Sequence, residues 1–151
     1  MIERTVAGAY LDTNVFIDVL EGHESVALPL KEIARKRRGA IVTSELTLAE
    51  ALGPSGRQAR PEDLKRMYLD LIVWSRFIDL RPVTREVLYE TVELRRFASL
   101  KLPDAIHLAT AILANCRFFV SRDEHFKNIP TWMEKITPDR ASLSRMVDAL
   151  Q

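Results

Sequence analysis

The stretch Tyr10-Leu11-Asp12-Thr13-Asn14-Val15-Phe16-Ile17-Asp18 decides the fold. An apolar segment, Val6 to Leu11, runs into an acid and two polar turn formers. Beyond them Phe16, Val19 and Leu20 recur at i, i+3 and i+4, the spacing of one buried helix face. Thr13 or Asn14 is suited to cap that helix. A strand leading straight into a helix leaves Asp12 at the strand's carboxyl end, the edge where open α/β sheets bind ligands. An acid at such a turn also serves as a simple cap, so the acids farther along decide what Asp12 is for.

Outward from this stretch, strand-like and helix-like segments alternate. Glu21-Gly22-His23 reads as a turn, and Ser25 to Arg38 as a helix with Pro29 near its start. Lys36-Arg37-Arg38 ends it before Gly39, where cations suit the helix dipole; Arg35 to Arg38 also form a candidate phosphate-binding cluster. Ala40 to Thr43 is a short buried strand, and Ser44 is placed to cap the next helix. In that helix Glu50 shares the stripe of Leu46 and Ala49, so it is expected to face inward. A buried carboxylate is costly unless paired, protonated or bound to a cation.

Gly53-Pro54-Ser55-Gly56 breaks the chain, and Leu64, Met67, Tyr68, Leu71 and Ile72 then mark a helix, with Met67 and Tyr68 expected in the core. Phe77 to Val83 reads as a strand with Asp79 at an edge, and Thr84 caps a helix carrying Val87, Thr91, Leu94 and Ala98 on one side. Leu102-Pro103-Asp104 opens a helix with Ala105, Leu108, Ala109, Ile112 and Leu113 as its apolar face; His107, in its first turns, reads as a satisfied polar residue. Phe118 to Val120 is a buried strand with Ser121 and Asp123 just past its end. Trp132 to Ile136 is a last short strand, and Asp139 caps a helix bearing Leu143, Met146, Val147 and Leu150. The alternation predicts one α/β domain over residues 1–151: a mostly parallel sheet of about four to five strands, helices on both faces.

Composition narrows the class. Hydrophobic residues make up 47% of the 151 positions, which suits a packed globule rather than a disordered chain. The 22 basic and 21 acidic side chains leave a net charge of +1, which neither demands nor excludes nucleic acid. Cys116 is the single cysteine, so no disulfide forms within the chain and a reducing cytoplasm is expected. Glu3 and Arg4 precede only a short apolar strand, unlike a secretion signal, and no run is long enough to span a membrane.

Asp12, Glu50, Asp104 and Asp123 occupy comparable places: two end strands, one starts a helix and one faces inward. Parallel topology would gather them at one sheet edge. Like charges ~5 Å apart repel by roughly 3 kcal/mol per pair at an effective dielectric of ~20, so such a group takes up protons or binds a hard cation. Oxygen ligands without a Cys or His cluster select Mg²⁺ or Mn²⁺ over Zn²⁺. Thr13, Asn14, Ser44 and Ser121 stand beside the acids, suited to orient them.

The sequence also resembles the PIN-domain ribonucleases, most closely the VapC toxins of bacterial and archaeal toxin–antitoxin pairs. Carrying the resemblance are Tyr10 to Asp18, Ser44-Glu45-Leu46-Thr47-Leu48-Ala49-Glu50, Pro103-Asp104-Ala105-Ile106-His107-Leu108-Ala109-Thr110-Ala111 and Val120-Ser121-Arg122-Asp123-Glu124-His125-Phe126. Each motif alone is weak; the four in order are specific. Arg122 departs from the pattern, standing where a small polar residue is common. The resemblance implies RNA cleavage dependent on Mg²⁺ or Mn²⁺, with water as nucleophile. Asp12, Asp104 and Asp123 would bind metal, and Glu50 would be a ligand or position the water. It further implies a homodimer and a VapB-type antitoxin partner. Arg35, Lys36, Arg37, Arg38, Arg57, Arg60 and Arg85 are candidate RNA-phosphate contacts by charge. The rival expectation is a non-catalytic PIN-like domain that binds RNA or protein. A phosphatase of the haloacid type wants a second Asp where Asn14 stands, and a receiver domain wants a Lys near the last strand, where none precedes Lys127.

Overall fold

The computed structural model describes residues 7–22 and 24–151. Glu3, Arg4, Val6 and His23 of the expectations above lie outside them. In chain order the elements are β1 (Ala7–Leu11), α1 (Thr13–Glu21), α2 (Glu24–Lys36), β2 (Ile41–Ser44), α3 (Leu46–Leu52), α4 (Glu62–Leu69), β3 (Ile78–Arg81), α5 (Arg85–Phe97), α6 (Leu102–Leu113), β4 (Cys116–Val120), β5 (Glu134–Ile136) and α7 (Arg140–Leu150). A single π-helical turn, Asp70–Trp74, extends α4. Among the described residues no helix is long and apolar enough to cross a membrane.

The strands form one sheet in the order β3-β2-β1-β4-β5, and every pairing is parallel. The chain moves outward from β1 through β2 to β3, then returns to the other side of β1 as β4. That reversal makes the β1/β4 boundary a topological switch point, whose carboxyl edge opens as a crevice. Leu11 is opposite Val120, and Tyr10 is opposite both Val42 and Phe119. Three strands therefore end side by side, bringing Asp12, Ser44 and Ser121 to one edge.

Alternation along the strands supplies both cores. Ala9, Leu11, Ile41, Phe118 and Val120 pack with Phe16, Leu30, Ile33, Tyr68, Ile72 and Leu143, residues of α1, α2, α4, the π-helical turn and α7. Tyr10, Val42, Cys116 and Phe119 face the other way, onto Ala105, Leu108 and Ala111 of α6. α6 is buried from Ala105 to Ala111, and α5 covers it, burying Val87 and Thr91. Thr84 and Asp139 cap α5 and α7 as their positions predict, accepting from the backbone N–H of Val87 and Ser142.

Several local expectations are corrected. Asp12 itself caps α1, accepting from the Thr13 N–H, because the helix starts one residue earlier than a Thr13 or Asn14 cap requires. Met67 is 48% exposed, since Tyr68 and Ile72 already fill the space under the sheet. The buried face of α3 is Thr47 and Ala51, so Glu50 lies to one side of it; its side chain is 37% exposed.

Gly8 is where β1 comes closest to the chain before β2. A Cβ there would lie 2.1 Å from the Ala40 carbonyl oxygen, and backbone on both sides leaves little room to yield. Gly8→Ala is expected to cost about 1–3 kcal/mol of stability, read as a lower urea midpoint in equilibrium unfolding.

Candidate active site

At the carboxyl edge of β1 and β4, Asp12 is 6% exposed and tightly held. Its Oδ2 accepts from Ser121 Oγ at 2.7 Å and from Asn14 Nδ2 at 3.3 Å. Asn14, the second residue of α1, also donates to Ser121 Oγ at 3.2 Å and accepts from the Arg122 backbone N–H at 3.1 Å. Ser121 Oγ in turn accepts from the Asp123 N–H at 3.0 Å. This mesh ties the loop after β4 to the start of α1. Arg122 closes it from outside, its Nε lying 3.0 Å from the buried Asp18 carboxylate. The departure from the family pattern at Arg122 thus forms an ion pair away from the pocket acids.

Glu50 approaches from α3. Its Oε1 accepts from His107 Nε2 at 2.5 Å and from Thr13 Oγ1 at 2.9 Å. His107 Nε2 also lies 3.4 Å from Asp12 Oδ1, so Glu50 and Asp12 flank one ring. Partial burial alone would raise the Glu50 pKa, but the hydrogen bond from His107, with that from the Thr13 hydroxyl, holds it below the ordinary carboxylate value. The partner that pairs with Glu50 is His107. Its ring is 1% exposed, and its Nδ1 is 2.6 Å from the Tyr10 hydroxyl. Burial, then the charge of Asp12, keeps that hydroxyl well above its usual pKa and therefore protonated.

Asp104 opens α6 on the same side. Burial, then the charges of Asp123, Asp12 and Glu50, push its carboxyl above the ordinary range, with His107 offsetting part of the rise. Asp104 thus senses all three of the other acids foreseen as partners. Asp123 accepts from the His125 backbone N–H at 2.9 Å, with His125 Nδ1 at 2.8 Å. Among the described residues no arginine pairs with any of these four carboxylates. The tight crowding expected of them is looser in fact: among the described residues no three His, Cys, Asp or Glu side chains make a ready ligand cage. Asp12, Glu50 and Asp123 are each held by their own donors. The donor set still fits Mg²⁺ or Mn²⁺ in kind, because Mg²⁺ commonly takes one or two carboxylates and keeps water elsewhere.

Of the supporting hydroxyls, Thr13 and Ser121 contact the acids, whereas Ser44 Oγ accepts from the Leu46 N–H and starts α3. The basic candidates separate by place. Arg35 to Arg38 lie before β2 and so at the opposite edge of the sheet from the acids; Arg38 stacks on Phe77, 5.3 Å from the ring centre. Arg60 is committed to Glu21 at 3.2 Å and to the Gly53 carbonyl at 3.1 Å, bracing the loop after α3. Arg57 is exposed on that loop, and Arg85 begins α5 just past the carboxyl end of β3. Lys135 of β5 was not foreseen. Its Nζ donates to the Ser121 carbonyl at 2.8 Å, and burial lowers its pKa while Asp123, Glu124 and Asp12 pull it back up. Nothing local marks Lys135, which strand pairing brings to the pocket. The signal for His107 was its place three residues after Asp104 on one helix.

The PIN-domain family matches residues 9–131, and the chain belongs to that family. The fold is that of toxin–antitoxin structures. A toxin–antitoxin complex from Klebsiella pneumoniae is similar at 24% identity and a TM-score of 0.64, over 87% of this chain and 98% of that one. DNA-bound VapBC from Salmonella typhimurium gives 16% identity and a TM-score of 0.68 over 87% and 98%. FitAcB from Neisseria gonorrhoeae gives 16% and 0.58 over 93% of both chains. No curated protein matches the sequence.

The raised pKa of Asp104 has a thermodynamic consequence. Ionised Asp104 is disfavoured in the folded protein, so its penalty is full above the folded pKa and absent below the unfolded one. Asp104→Asn is therefore expected to raise the melting temperature of the metal-free protein at neutral pH. The gain should shrink as pH falls through the raised pKa and vanish below the ordinary Asp range. Thermal melts of both proteins from pH 3 to pH 7 read this directly.

Proposed function

We propose that this PIN domain is a metal-dependent endoribonuclease, the toxin of a VapBC-type pair. The observation that carries the proposal is the gathering of Asp12, Glu50, Asp104 and Asp123, where burial and then the charges of the other three raise the pKa of Asp104 and no arginine among the described residues answers them. A cation relieves that repulsion where protonation otherwise must. Asp12, Asp104 and Asp123 would hold Mg²⁺ or Mn²⁺, with Glu50 as a ligand or as the group that positions the attacking water. Such an ion, when bound, supplies charge that polarises a phosphodiester and eases ionisation of water. Ser121 and Asn14 keep Asp12 fixed, and Thr13 keeps Glu50 fixed, so binding a substrate need not reorganise them. Arg85, Arg57 and Lys135 are the cations proposed to meet RNA phosphates. The alternative, a non-catalytic RNA- or protein-binding PIN domain, gives no reason for four acids that no arginine among the described residues pairs.

Two surfaces support the partners. A groove of about 350 Å³ between α1, α2 and β3, lined by Phe16, Val19, Leu30, Ala34, Leu71 and Ile78, is apolar and suits a segment of a VapB-type antitoxin. Along α5, Leu88, Tyr89, Val92 and Phe97 are exposed at 44%, 68%, 58% and 75%, an apolar face suited to a homodimer.

Purified protein is expected to cut RNA with Mg²⁺ or Mn²⁺ and to stop in EDTA. Asp12→Asn should lower the rate about 100-fold or more, since a metal contributes several kcal/mol to such transition states, while circular dichroism stays unchanged. Cleavage that persists in EDTA would rule out the metal mechanism. For the dimer, light scattering should report twice the monomer mass, and Val92→Glu should return it to one.

A further inference from the structure

We propose that His107 is a positioning residue for Glu50: clamped by the Tyr10 hydroxyl, its ring aims the Glu50 carboxylate into the pocket beside Asp12. The catalytic consequence rests on the nuclease proposed above; the positioning itself rests on geometry alone.

Apart from the Thr13 hydroxyl, Glu50 has little else to orient it. It stands on a helix of seven residues, outside that helix's buried face, with its side chain 37% exposed. A flexible glutamate so placed swings into water unless something holds it. His107 cannot swing. Its ring is 1% exposed and packs edge-on to Tyr10, with centroids 5.8 Å apart. Tyr10 stacks on Phe119 at 5.3 Å, and Phe119 packs on Phe126 at 4.6 Å. The ring is thus anchored through β1 to β4.

The hydrogen bonds share one polarity. The Ser44 N–H donates to the Tyr10 oxygen at 3.2 Å, which leaves the Tyr10 O–H to donate to His107 Nδ1, 2.6 Å away. A ring that accepts at Nδ1 carries its proton on Nε2, and Nε2–H donates to Glu50 Oε1 at 2.5 Å. Thr13 Oγ1 donates to that same oxygen at 2.9 Å. Both bonds fall on Oε1, leaving Oε2 for water or a ligand. A ring that only filled the core would need neither the match of donor to acceptor at both nitrogens nor Glu50 as its partner.

Two measurements test this. In wild-type protein without metal, nitrogen-15 spectra of the His107 ring should show the proton on Nε2, shifted in Glu50→Gln and in Tyr10→Phe. In RNA cleavage, His107→Ala should lower kcat roughly 10–100-fold with KM nearly unchanged. His107→Gln, which restores an N–H near the Nε2 position, should recover most of the loss, and Tyr10→Phe should show a smaller loss of the same kind. Spectra that put the proton on Nδ1 would overturn the proposal, as would a His107→Ala enzyme equal to wild type beside a dead Asp12→Asn. Should His107→Ala fail to fold, Tyr10→Phe and the wild-type spectra decide. A wild-type protein that cuts no RNA, yet shows the Nε2–H bond to Glu50, would sink the nuclease and leave the positioning standing.

Discussion

Parallel pairing of β1 with β4 is the constraint on which the site depends. Leu11 opposite Val120 puts Asp12 beside Ser121, although 109 positions separate them in the chain. A slip of one residue in that pairing would turn each strand's apolar set to the wrong face, Tyr10 and Phe119 among them. The register is therefore enforced by the burial of both cores, and the pocket inherits its precision from them. Gly8 contributes at the other end of β1, where close contact with Ala40 leaves no space for a side chain.

Electrostatics and packing pull against each other at the pocket. Carboxylates gathered at one sheet edge repel, and the fold responds by giving three of the four acids their own donors. Asp12 has Ser121 and Asn14, Glu50 has His107 and Thr13, and Asp123 has His125. No side-chain nitrogen or oxygen buried among the described residues lacks a hydrogen-bond partner. Asp104 is left as the acid that registers the remaining repulsion. The pocket is thus ordered in its hydrogen bonds and still unbalanced in its charge, a combination suited to a hard cation with several waters.

The surface divides by function in a way the charge count conceals. The most conspicuous basic run, Arg35 to Arg38, ends α2 at the edge remote from the acids, where it suits the helix dipole. Arg60 and Arg122 are held by Glu21 and Asp18. The cation beside the acids is instead a single residue, Lys135 of β5, which no run of charge announces.

Much of this protein was legible without coordinates. Two-residue alternation and helical spacing identified the strands and helices, Thr84 and Asp139 announced their helices as caps, and Asp12, Asp104 and Asp123 stood out by their places at strand ends and a helix start. Those features are local, written in spacings of two to four residues. Only the tertiary structure decided that Glu50 stands beside its helix's buried face, since seven residues fix the phase of a helix poorly. It alone decided that His107 meets Tyr10 across 97 positions, that Lys135 reaches Ser121, and that the basic run faces away from the acids. Such neighbours follow from strand order and register, which arise from burying two cores at once and leave no mark in any short stretch of chain.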